Sequence, residues 1–246
     1  MLSETQLGDF ERDGYLLVRG MYSPEEMCDV LAWTEEVTNY PEVPGKYMMY
    51  FEQSSLDRQR ILSRMEDFEP YHEGFSKMFN EERMKGHTSQ LFGEQAVLYK
   101  EKINFKMPGG DGFKAHQDVQ AGWDKYASLH ITVMVSVDAT TIENGCLEMA
   151  PGKHKQGLIG EQWQPLEEDA LDYISIPTEP GDAVFFDSFA PHRSAPNLTD
   201  KSRRVLHVTY NRLSDGDHRR QYYDDKRASY PPDIEREANK EYVFRV

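Results

Sequence analysis

Residues His116, Asp118 and His192 are the types, at the spacing, that could hold a redox metal. The run Phe113-Lys-Ala-His-Gln-Asp carries a His-x-Asp pair directly after the turn-rich "MPGGDG". In extended backbone alternate side chains share a face, so one imidazole nitrogen and one carboxylate oxygen reach the same ion. Two ligands hold a metal weakly, and His130, His154, His192, His207 and His218 are the candidates for a third. His192 stands out because it follows the apolar run "DAVFFDSFAP" at a strand end. Two histidines and one carboxylate leave one side of an octahedron open, which suits non-haem Fe(II) binding a co-substrate and oxygen. Zinc fits the same ligands without redox chemistry. A solvated polar pair after a turn is the plain alternative, since His-x-Asp alone is a common pattern.

Downstream of His192 the run is "HRSAPNLTDKSRR". Ser194 shares a face with His192 in extended backbone, and Arg203 lies eleven residues past it, after the turn "APNLTDKS". A hairpin there would return Arg203 to the metal. A guanidinium with a hydroxyl beside it is a carboxylate receptor, because the planar fork takes both oxygens. The alternative is a surface arginine in a basic turn, flanked by Lys201 and Arg204.

These residues need a frame. "SETQLGDFERDG" and "SPEEMCDVLAWTEEVTNY" read as helices, each with a serine cap, and Pro24 sits at the first helical position of the second. Between them "YLLVRGM" reads as a short strand, and a further helix is expected through "YHEGFSKMFNEERMKGHTSQLFG". Past Gly93 the segments "AVLYKEKINFKM", "SLHITVMVSVDA", "GCLEMA", "YISIPT", "DAVFFDS" and "RVLHVTYNRL" are β-branched and aromatic, with turn clusters between them. The pattern is a β-sandwich or barrel with helices outside. We expect one domain over 1–246, with a helical part to about residue 93, a β core over about 94–213 and an extended C-terminal tail.

The formal net charge of −15 disfavours nucleic acid and anionic membrane surfaces as partners. No apolar run is long enough to span a bilayer, and the polar, acidic start has no leader character. Two cysteines, Cys28 and Cys146, are too few for a structural zinc set and argue against a disulfide framework; we expect reduced thiols in a cytoplasm.

The motifs "FERDGYLLVRGMYSPEE", "HQD", "ENGCLEMAPGKHKQG" and "PGDAVFFDSFAPHRSAPNLTDKSRR" agree in order and spacing with one family. Over roughly residues 8 to 212 the sequence resembles the phytanoyl-CoA hydroxylase family of Fe(II)- and 2-oxoglutarate-dependent dioxygenases. The resemblance implies a double-stranded β-helix, or jelly roll, with flanking helices. It implies His116, Asp118 and His192 as iron ligands, and Arg203 with Ser194 on the distal carboxylate of 2-oxoglutarate. Oxygen is the other co-substrate it implies. "KEKINFK" resembles the matching strand of ectoine hydroxylases, which implies a co-substrate contact for Asn104.

The stretches "EKINFKMPGGDGFKAHQDVQAGW" and "TYNRLSDGDHRRQYYDDKR" through "PPDIERE" resemble a bacterial branch that hydroxylates 2-aminoethylphosphonate or its N-methylated analogue. That implies a small zwitterionic substrate hydroxylated at the carbon bonded to phosphorus. Gln117, Lys114 and Trp123 are candidate lining residues; for the last two, a solvated lysine and a core tryptophan are the alternatives. Three other readings stay open: an ectoine-like substrate, a non-catalytic jelly-roll binding protein and a zinc hydrolase.

Overall fold

The computed structural model describes residues 1–167 and 170–242. Its elements begin with helix α1 (Glu4–Asp13), strand β1 (Tyr15–Val18) and helix α2 (Pro24–Thr38). Both helices open with reciprocal caps, Ser3 with Gln6 and Ser23 with Glu26, which satisfy backbone N–H groups that a helix start leaves unpaired. Strands β2 (Met48–Gln53) and β3 (Arg60–Glu66) follow, then helices α3 (Glu73–Asn80) and α4 (His87–Phe92). The remaining strands are β4 (Ala96–Lys106), β5 (Phe113–His116), β6 (His130–Ser136), β7 (Leu147–Met149), β8 (Ile174–Ile176), β9 (Ala183–Asp187), β10 (His192–Ser194) and β11 (Arg203–Arg212). Helix α5 (Arg219–Ser229) comes last.

Among the described residues the strands form two antiparallel sheets. The larger has the order β1-β9-β6-β11-β4-β3-β2, and the smaller β5-β10-β7-β8. The two-residue period of a strand sorts the core. Val184 and Phe186 of β9, Met134 of β6 and Val205 of β11 pack against Leu147, Met149 and Ile176 of the small sheet. The intervening Phe185, Val133 and Leu206 point the other way, into a second core with Phe75, Phe79 and Met84 from the helical side. The jelly-roll expectation is met.

Three details differ from the sequence reading. The segment before residue 94 holds more strand than expected: the strand read at "YLLVRGM" is β1, and β2 and β3 also join the large sheet. The long helix expected near residue 80 breaks at Glu81, whose backbone is extended, and resumes after a wide turn. The tail expected to be extended begins as α5. It buries Tyr222 and Tyr223 and is pinned by Lys226 to Glu66 and by Arg219 to Glu101. Residues 243–246 of that tail lie outside the described residues.

Phe185 is fully buried between the large sheet and the helices, so its truncation leaves a void that the sheet cannot close. We expect Phe185→Ala to lower unfolding free energy by about 3–5 kcal/mol in denaturant titration, and a loss under about 1 kcal/mol would contradict this packing.

Candidate active site

Strands β5 and β10 are neighbours in the small sheet, and their register sets His116 opposite His192. The two rings lie 4.3 Å apart between centroids. Strand β5 ends at His116. Asp118 starts a 3₁₀ turn rather than continuing the strand as expected, yet it stays with the histidines. One ligand atom from each of His116, Asp118 and His192 lies within 4.8 Å of the others; among the described residues they form the candidate metal-holding group.

The ring orientations are fixed from behind. His116 Nδ1 is 2.7 Å from the Lys114 carbonyl and His192 Nδ1 is 3.0 Å from the Ala190 carbonyl. A carbonyl only accepts, so both Nδ1 atoms carry the proton and both Nε2 atoms keep a lone pair. Burial, reinforced by the facing His192, holds the His116 imidazole down to about 3, and burial also lowers His192. Burial pushes the Asp118 carboxyl up, but the fields of His192 and Lys102 outweigh it and leave it below its ordinary range. The Asp118 carboxylate also accepts a 3.3 Å bond from Thr132 Oγ1. Two neutral nitrogens and one anionic oxygen fit a divalent ion such as Fe(II).

A cavity of about 700 Å³ opens beside His116, its wall including Asn104, Lys106, Phe113 and Ser194. Arg203 is 2% exposed, and its Nε has no hydrogen-bond partner. Burial lowers its guanidinium to about 10, which still leaves it charged at neutral pH. The Asn104 carboxamide oxygen is likewise buried without a partner. A buried cation needs an anion, and a dicarboxylate such as 2-oxoglutarate fits that need.

The route by which Arg203 arrives is not the expected hairpin. His192 lies in the small sheet, whereas Arg203 begins β11 in the large sheet, paired with Lys106 of β4. Lys106 links the two walls: its Nζ donates to Ser194 Oγ at 2.9 Å, to the Gly145 carbonyl at 3.3 Å and to the Ala195 carbonyl. Gly145 permits that approach, because a side chain there would put Cβ 2.0 Å from the Ala195 oxygen. Burial, with Arg203 close by, pushes the Lys106 ammonium down to about 6.

Of the expected lining residues, Lys114 is exposed on the cavity wall. Trp123 is not on that wall: it is core, packed on Tyr99 and His130 at 5.6 and 5.3 Å between ring centroids. Gln117 is fully buried and acts as a brace. Its amide donates to the Gly157 and Phe189 carbonyls, and its oxygen accepts from the Ile159 N–H. His130 and His207, also candidates for the third ligand, are buried strand histidines outside the metal-holding group, each with one ring nitrogen without a hydrogen-bond partner. Lys102 and Lys106 were not anticipated; the available signal was their alternation with Asn104 in "KINFK".

A family model described as phytanoyl-CoA dioxygenase (PhyH) matches residues 10–205. The chain is 41% identical to a 2-aminoethylphosphonate dioxygenase from uncultured bacterium HF130_AEPn_1, covering 98% of this chain and 93% of the relative. It is 39% identical to a methylphosphonate hydroxylase from Gimesia maris, covering 93% and 88%. Its fold is similar to that of EctD from S. alaskensis, solved with 2-oxoglutarate and 5-hydroxyectoine. There the TM-score is 0.74 at 20% identity, covering 87% of this chain and 77% of that one.

Because Lys106 satisfies acceptors on both walls, Lys106→Met should leave them unpaired and cost on the order of 1–3 kcal/mol. The denaturation midpoint should fall accordingly, and an unchanged midpoint would remove Lys106 from this role.

Proposed function

The chain belongs to the phytanoyl-CoA dioxygenase family, and from that membership we propose that it hydroxylates a small phosphonate, best described as 2-aminoethylphosphonate, at the carbon bonded to phosphorus. It is a 2-oxoglutarate-dependent dioxygenase that uses Fe(II). The observation that carries the substrate reading is the pair of relatives near 40%, a 2-aminoethylphosphonate dioxygenase and a methylphosphonate hydroxylase, whose names share the phosphonate. The whole chain serves this reaction as a single domain in our reading.

In this assignment His116, Asp118 and His192 hold the iron, Arg203 with Ser194 holds the distal carboxylate of 2-oxoglutarate, and Asn104 contacts the co-substrate. Bound together, the iron and 2-oxoglutarate supply the oxidant: oxygen is consumed, 2-oxoglutarate becomes succinate and carbon dioxide, and one substrate C–H becomes C–OH. The protein's part is placement. The carbonyl-tied imidazoles present their Nε2 lone pairs without reorganisation, and Arg203 fixes the co-substrate at its far end. The cavity of about 700 Å³ has room for 2-oxoglutarate together with a substrate of a few heavy atoms.

The amine end favours a free amine over a trimethylated one. Tyr50 and Tyr230 stack at 5.5 Å on the cavity wall, but Arg64 and Arg236 already lie over their faces at 4.7 Å from each ring. Those rings are therefore engaged rather than forming an aromatic cage for a quaternary ammonium.

His192→Ala should abolish stoichiometric iron binding, measured by metal analysis after anaerobic loading; full occupancy would sink the ligand assignment. Arg203→Gln should keep the iron and weaken 2-oxoglutarate binding by about 2–5 kcal/mol, read by anaerobic titration, and unaltered affinity would remove Arg203 from the co-substrate site. The substrate itself is tested by succinate release and product mass with 2-aminoethylphosphonate, its trimethylated form, methylphosphonate and ectoine. Coupled turnover with ectoine and with no phosphonate would reject the substrate reading.

A further inference from the structure

We propose that Lys102 is the residue that binds the anionic head of the substrate beside the metal centre. The identity of that anion as a phosphonate rests on the function proposed above; the place and the charge of its receptor rest on the structure.

Lys100, Lys102, Asn104 and Lys106 follow one another at two-residue steps along β4, so they share the face turned into the sandwich. The three ammonium groups there differ in what they touch. Lys106 is bonded to Ser194 and to the Gly145 and Ala195 carbonyls. Lys100 donates to Tyr222 Oη at 2.7 Å and lies 3.7 Å from Glu66. Lys102 has neither a hydrogen bond nor an ion pair through its side chain among the described residues.

Lys102 stands next to a residue of the cavity wall rather than on that wall itself. Lys102 pairs across the sheet with His207 of β11 and Glu66 of β3. Its Nζ lies 5.9 Å from the ring centroid of Phe113, a cavity-wall residue three positions before His116. Its charge is felt at His116, Asp118 and His192 together. A substrate oxidised at the carbon next to phosphorus must bring its phosphonate within one bond of the reacting carbon. The receptor must therefore stand at the metal and not at the cavity mouth, where Lys114 is exposed.

The nearest carboxylate outside the metal group cannot neutralise Lys102. Glu66 is fully buried, and its oxygens are already taken by Lys226 at 2.6 Å, Arg64 at 2.9 Å and Lys100 at 3.7 Å. Arg64, Lys100, Lys102 and Lys226 thus face a single glutamate, and this wall carries an excess of positive charge. A doubly charged head group matches that excess, whereas a neutral or cationic one would leave it uncompensated. Burial lowers the Lys102 ammonium to about 8, and an arriving dianion acts in the opposite sense.

The rival occupant for Lys102 is the metal-side carboxylate of 2-oxoglutarate, and binding measurements separate the two. Anaerobic Fe(II)-loaded wild type, Lys102→Gln and Lys102→Arg are titrated calorimetrically with 2-oxoglutarate and then with methylphosphonate. We expect Lys102→Gln to weaken methylphosphonate binding on the order of 100-fold, Lys102→Arg to restore most of it, and 2-oxoglutarate affinity to change by less than about threefold. Unchanged methylphosphonate affinity in Lys102→Gln, or a loss confined to 2-oxoglutarate, overturns the assignment. Wild type that binds methylphosphonate through Lys102 yet turns over no phosphonate would reject the proposed substrate and leave the assignment standing. Wild type that binds no phosphonate overturns both.

Discussion

A cation taken out of water must find an anion or give up its charge, and the inner faces of β4 and β11 are organised by that constraint. Arg203 is buried with its Nε unpartnered, and Lys102 stands without an ion pair among the described residues. Lys106 is accommodated by carbonyls and a hydroxyl, and Lys100 shares Glu66 with two other cations. An interior arranged for stability alone would place apolar side chains here, as the opposite faces of the same strands do with Ile103, Phe105 and Leu206. The cost becomes intelligible if anionic small molecules are what this interior is built to hold.

The metal-holding group follows a different logic, in which neutrality is imposed on the bases and charge is kept on the acid. Two histidines on adjacent strands are turned by backbone carbonyls so that equivalent nitrogens converge, and burial disfavours their protonated forms. Asp118 keeps its charge because the nearby Lys102 helps to offset the penalty of burial. The cationic wall and the metal-holding group are therefore coupled. Lys102 helps keep Asp118 ionised while standing behind Phe113 of the cavity wall.

Much of this was legible in the sequence. The strands after residue 94 declared themselves through β-branched runs between turn clusters; His116, Asp118, His192 and Arg203 were candidates from type and spacing, and the family resemblance implied their roles. What was less legible had physical causes. The β2–β3 hairpin is buried unevenly, so "MMYFEQ" and "RILSRME" lack clean alternation. Helix α5 is highly charged and depends on two adjacent tyrosines and on ion pairs with distant strands, which a local pattern does not reveal. Trp123 is adjacent in sequence to a site turn but faces the core. The inward lysines of β4 resisted reading because lysine on a strand is ordinarily solvated; only the sheet pairing shows that both flanks of β4 are covered.

The central claim is that one iron sits on His116, Asp118 and His192 with 2-oxoglutarate reaching from it to Arg203. Its most direct test is a crystal structure of protein loaded anaerobically with Fe(II) and 2-oxoglutarate, with anomalous data collected at the iron edge. The account predicts one anomalous peak within bonding distance of the two Nε2 atoms and the Asp118 carboxylate, and the distal carboxylate of 2-oxoglutarate on the Arg203 guanidinium. An iron peak away from these three residues, or 2-oxoglutarate bound without Arg203, would contradict it.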